Sequence, residues 1–118
     1  MNKSLAVGIM LCISPISFAK ETRCGWLDNP TPSNLWLIDK DGEWNISKQG
    51  GHEALGLDKI KDFSEKQYIR TNGSYGRGCS CLVVDVDTKN KTISKIYSAK
   101  NIDISRCQSD KKIKNLSK

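Results

Sequence analysis

Hydrophobic and polar residues alternate along two stretches of the chain, each followed by a turn signal and a second alternating run. Leu35-Trp36-Leu37-Ile38 leads to Asp41-Gly42 and returns as Glu43-Trp44-Asn45-Ile46-Ser47, which predicts a β-hairpin with a two-residue connection. With Asp41 and Gly42 as that connection, Lys40 stands opposite Glu43, Asp39 opposite Trp44, Ile38 opposite Asn45 and Leu37 opposite Ile46. Leu35, Leu37, Trp44 and Ile46 then share a core face. Trp36 and Ile38 fall on the other face with charged neighbours, so that face is expected either to be covered, by the segment around Trp26, or to be a contact surface.

The second stretch runs from Cys79 to Asp87, with Leu82, Val84 and Val86 on one face and Cys79, Cys81 and Val83 on the other. Thr88-Lys89-Asn90 predicts a type I turn with Asn90 left-handed, returning the chain through Thr92 to Ala99. In that register Leu82 faces Ile96 and Cys81 faces Tyr97. Around these hairpins, Arg23 to Pro32 reads as extended because each proline biases its predecessor away from helix. Gln49-Gly50-Gly51-His52 reads as a loop, Asp58 to Phe63 as one short helical turn, and Gln67 to Thr71 as a strand; a further short strand precedes Cys107. Without repeats or a linker, the fold class is mainly β, or small α+β if the turn near Asp58 is helical: one antiparallel-sheet domain.

The ends differ in kind from this middle. Lys3, the apolar run Leu5 to Ile13 and Ser17-Phe18-Ala19 fit a secretory signal helix removed after Ala19, so the precursor divides into 1–19, a folded domain over 20–107 and a tail over 108–118. The apolar run is half of the roughly 20 residues that span a bilayer, so no integral membrane segment is expected after cleavage. Formal charge is +6, and Lys111, Lys112, Lys114 and Lys118 crowd the last eight residues. The tail is read as solvated and disordered, since Ile113 and Leu116 are its only large apolar groups. Export also argues against a nucleic-acid partner.

Cys12 leaves with the signal, and Cys24, Cys79, Cys81 and Cys107 remain, an even set that predicts two disulfides in an exported chain of this size. Cys79 and Cys81 lie on one strand face about 6.7 Å apart, near the upper limit for a bridge. The two other pairings each join Cys24 to one of them and Cys107 to the other. Both close loops of about 55 and 27 residues, stabilising by about 4 and 3.5 kcal/mol in the chain-entropy model.

Taken together, "RCGWLDNPTPSNLWLIDKDGEWNISKQGGHEALG", "YIRTNGSYGRGCSCLVVDVD" and the last cysteine at Cys107 resemble the domain of unknown function 4087 family of exported bacterial proteins. The resemblance covers nearly all of Arg23 to Cys107. It implies an envelope or secreted location in a Gram-negative bacterium and supplies no activity.

The residues themselves suggest binding before catalysis. In Asn72-Gly73-Ser74-Tyr75-Gly76-Arg77-Gly78 the glycines permit close backbone approach, and Asn72-Gly73 fits a type I′ turn. Tyr75 and Arg77 are residue types in which binding energy concentrates, on a loop whose base the cysteines hold. Tyr75, Arg77, Gly73, Gly76 and Trp36 are therefore the candidate binding residues of a periplasmic or secreted protein whose partner is an envelope protein, in the manner of an inhibitor or immunity protein. The alternative expectation at this site is a tight β-connection with Tyr75 packed on the domain. His52 is the only histidine, so a small hydrolase would use it as base, with Glu53, Asp58 or Ser74 brought beside it. A structural envelope protein with no discrete site is the third reading. Cys79-Ser80-Cys81 has neither zinc nor redox spacing, and Asp39-Lys40-Asp41-Gly42-Glu43 lacks the closing glutamate of a calcium loop, so no metal or cofactor is expected.

Overall fold

The computed structural model describes residues 20–117; the signal segment expected at 1–19 lies outside the described residues. Six strands follow in order: β1 (Glu21–Thr31), β2 (Asn34–Asp39), β3 (Gly42–Ser47), β4 (Ile69–Asn72), β5 (Tyr75–Asp87) and β6 (Thr92–Asn101). Two single 3₁₀ turns, Leu57–Lys59 and Glu65–Gln67, and one short helix α1 (Ser105–Gln108) complete the described chain. The fold is thus mainly β.

Strand β1 is bonded to β2 along one edge and to β5 along the other, β2 pairs with β3, and β5 pairs with β6, all antiparallel. β3 then meets β6 through one parallel pair, Asn45 with Thr92, where the Asn45 N–H donates to the Lys91 carbonyl at 2.9 Å. The sheet therefore closes on itself as a five-stranded barrel. Beyond that pair β3 and β6 part, and the segment after His52 fills the gap. Ala54 N–H donates to Ile46, Leu55 N–H to Ser94, and Ile96 N–H to Leu55. β4 lies outside the closed ring, on the first residues of β5.

Alternation sorts the side chains into two clusters. Leu27, Leu37, Trp44, Ile46, Leu82, Val84, Ile93 and Ile96 fill the barrel, with Ala54 from the gap-filling segment. The interior position of Leu35, Leu37, Trp44 and Ile46 matches the expectation, although the hairpin register is corrected. Lys40 and Asp41 form the turn, so Leu37 faces Trp44, Ile38 faces Glu43 and Asp39 faces Gly42. Gly42 takes φ +111° just after the turn, and the Asp39 carboxylate accepts the Asp41 N–H at 2.9 Å, which ties the turn one step earlier. The faces survive because the register moves by an even number of places.

The β5–β6 register is also corrected. Leu82 faces Ala99 and Cys81 faces Lys100, because bulges after Val83 and Asp85 each shift the pairing. The turn is held by Asp87, whose carboxylate accepts from the Lys89 and Asn90 N–H groups and the Asn90 side chain. Lys91, rather than Asn90, takes the left-handed conformation at φ +53°.

Outside the barrel, Trp26, Ile38, Cys79, Cys107 and Ile113 form the second cluster, with Trp36, Ile69 and Leu116 packed against it. Its cover is the C-terminal segment. The disulfide Cys79–Cys107 anchors that segment, Ile113 is only 8% exposed, and the Trp26 indole donates to the Lys114 carbonyl at 3.1 Å. Where charge alone suggests a solvated tail, Ile113 and Leu116, three residues apart, turn to the sheet while Lys111, Lys112 and Lys114 face water. The other disulfide, Cys24–Cys81, joins residues directly opposite in β1 and β5.

Candidate functional site

The two ends of the barrel are unlike. At the end formed by the β2–β3 and β5–β6 turns, Trp44 closes the interior and is 2% exposed. The Arg23 guanidinium at 4.1 Å and the Lys91 ammonium at 4.0 Å both lie over its ring, a doubled cation–π contact. Its indole N–H donates to Asp39 at 3.0 Å, and the same carboxylate pairs with Arg23 at 2.9 Å. Arg23 also reaches Asp41, whose pKa falls from 3.8 to about 2 through hydrogen bonds from Arg23 and then Lys40.

Asp87, held chiefly by Asn90, and Asp103, held chiefly by Ser105, are lowered as well. A carboxylate whose folded pKa is depressed contributes stability above its unfolded pKa and loses it as pH falls through the folded one. Urea midpoints are therefore expected to drop as pH is taken from 3.8 down towards 2, and Asp41→Asn to flatten part of that drop. A midpoint constant across this window would contradict the assignment.

The opposite end opens into a cleft of about 420 Å³. Leu27 and Leu35 reach it from the barrel interior; Ile60, Phe63 and Tyr68 from the connection before β4 form a wall; Asn29, Asp62, Glu65, Arg70 and Ser74 line the rest with Gly76. Phe63 and Tyr68 stack with centroids 5.8 Å apart, and the Tyr68 hydroxyl donates to the Ser74 carbonyl at 2.9 Å. That bond latches the connection to the β4–β5 turn. Burial pushes the Tyr68 hydroxyl pKa up, Arg70 opposes the shift, and Asp28, Asp62 and Tyr75 add to it. Apolar lining with a few polar groups in a barrel mouth is the usual form of a ligand seat.

The glycine-rich stretch helps build this cleft. Gly73 and Ser74 are the two-residue turn between β4 and β5, and Gly73 has φ +59°. Gly76 and Gly78 lie within β5, two residues apart and so on one face. A Cβ at Gly76 would strike the Ile69 carbonyl, and one at Gly78 would meet the Phe63 ring at 2.5 Å. Glycine at these positions lets β4 and the aromatic wall lie directly on the strand.

Of the residues singled out from sequence, Gly76 and Ser74 line the cleft. Tyr75 is half-buried on the same hairpin. Arg77 points outward, donating to Asp28 at 3.2 Å and to the Leu116 carbonyl at 3.0 Å. Trp36 donates to the other oxygen of Asp28 at 3.2 Å. Asp28 is 7% exposed, so Trp36 and Arg77 meet on a buried carboxylate under the C-terminal cover. His52 donates its Nε2–H to the Ile93 carbonyl at 2.8 Å, sealing the seam between β3 and β6. Ser74 lies at the other end of the barrel from Ile93's partner Val86. Ile60, Phe63, Tyr68 and Arg70 were not singled out from the sequence, though the same-face glycines 76 and 78 are a readable sign that something lies over β5. Among the described residues, no three His, Cys, Asp or Glu side chains gather where a metal ion would be held. No helix there is long and apolar enough to cross a membrane.

Fold and cleft define a small disulfide-stapled β-barrel, plugged at one mouth and open at the other. The model of the family described as Protein of unknown function (DUF4087) matches residues 18–114, and the chain belongs to that family. No curated protein and no solved structure matches the chain.

Proposed function

We propose that the protein is an exported binding protein, periplasmic or secreted, that receives an envelope protein at the open mouth of its barrel. Pairing with an envelope enzyme, as an inhibitor or immunity-like protein does, is the form of that role. The observation that carries the reading is the asymmetry of the barrel: Trp44 fills one end, while apolar residues line an accessible cleft at the other. The Gly73-Ser74 turn and Tyr75 stand beside that cleft. Two disulfides suit an oxidising compartment, and the signal-like first 19 residues suit export. His52 serves the seam in this reading, its Nε2–H being committed to Ile93.

Ser74 is exposed and lines the cleft, so Ser74→Trp introduces a bulky ring at the mouth without touching the core. Immobilised Ser74→Trp protein is expected to lose capture of the envelope partner by at least about tenfold, with near-ultraviolet circular dichroism and both disulfides unchanged. Equal capture by the folded variant and the parent protein would remove the cleft from the proposal.

A further inference from the structure

We propose that the cleft takes the carboxyl-terminal end of a polypeptide whose last side chain is large and apolar. This rests on the reading of the open mouth as the binding seat and adds the chemistry of what sits there.

The lining makes two demands on a ligand. Leu27, Leu35 and Ile60, walled by the stacked Phe63 and Tyr68, offer an apolar space of about 420 Å³, enough for a large side chain and its backbone. Arg70, Asp62 and Glu65 stand around that space, all exposed. Among the described residues none of the three enters an ion pair. Arg70 and Asp62 both act on the Tyr68 hydroxyl, which places charges of opposite sign near one point of the wall.

A purely apolar ligand leaves all three charges unused, and a fatty anion meets Arg70 while setting its chain against two carboxylates. A peptide end offers a partner to charges of both signs. Its last side chain enters the apolar space, its terminal carboxylate accepts from the Arg70 guanidinium, and its backbone N–H groups donate to Asp62 or Glu65. Arg70 suits this role through its position: it pairs in register with Gly76, beside the glycine that brings β4 close over β5.

The test is calorimetric titration of the disulfide-intact protein with N-acetyl-Ala-Ala-Phe as the free acid, the same peptide as its amide, and decanoate. The acid is expected to bind saturably and the amide about tenfold more weakly or worse. Arg70→Gln should bring the acid down to the level of the amide while leaving the amide where it was. Acid and amide binding alike, neither peptide binding, or decanoate matching the acid would each overturn the assignment. Absent peptide binding together with lost partner capture in Ser74→Trp removes only the peptide-end chemistry. Unchanged capture in Ser74→Trp removes the binding seat itself.

Discussion

Trp44→Ala is expected to destabilise the protein by about 3 to 5 kcal/mol, among the largest effects a single substitution has in a domain of this size. Three losses coincide at this position. The ring is 2% exposed, so its removal leaves a cavity at the plugged end of the barrel. Arg23 and Lys91 lose the aromatic ring they lie over. Asp39, itself 5% exposed, loses the indole N–H that satisfies Oδ1 alongside the Asp41 amide. Trp44→Phe separates these terms, because it keeps most of the volume and a π face while deleting the donor, and about 1 to 2 kcal/mol is expected. Urea unfolding followed by circular dichroism measures both. A Trp44→Ala protein within 1 kcal/mol of the parent would mean the plug is not part of the core.

The second large effect is expected from Cys79→Ala combined with Cys107→Ala. The bridge spans 28 residues, and its removal is worth about 3.5 kcal/mol by loop closure alone. Its position adds to this, because the cysteine at 107 brings the following segment back over Trp26 and Ile38. Without the bridge, Ile113, Leu116 and the hydrogen bonds from Trp26 to Lys114 and from Arg77 to Leu116 must hold that cover. Tryptophan emission should shift to the red before the barrel unfolds. The companion bridge behaves differently, since Cys24 is exposed whereas Cys79 and Cys107 are each 1% exposed. Mild reductant is therefore expected to open Cys24–Cys81 first, leaving the fluorescence of Trp26 unmoved until the second bridge opens. Simultaneous loss of both, by mass spectrometry of alkylated protein, would refute this order.

Much of the barrel wall is legible in the sequence because alternation is a local property. Leu37 and Trp44 read as interior whether the turn is placed at Asp41-Gly42 or at Lys40-Asp41, so a wrong register still yields the right face. The bulges in β5 and β6 are not legible. They answer to closure of the barrel, which no short window records. The disulfide pairing is hidden for a related reason: Cys79 and Cys81 share a face, and only the pairing of β1 with β5 sets Cys81 rather than Cys79 opposite Cys24. Composition misleads at the C-terminal segment, where four charged residues among 110–117 outweigh Ile113 and Leu116 in any average. Burial there depends on the apolar face that Trp26 and Ile38 already present. The cleft is the least legible feature, since Leu27, Phe63 and Arg70 come from separate parts of the chain and only folding makes them neighbours.

Closure of the barrel between β3 and β6 has one more consequence. Nine consecutive residue pairs join β1 to β5, whereas a single parallel pair, the inserted segment after His52 and one imidazole hold the opposite wall. Backbone amides along this built-in meridian are thus expected to exchange with solvent sooner than those of the stapled side, as hydrogen–deuterium exchange would read.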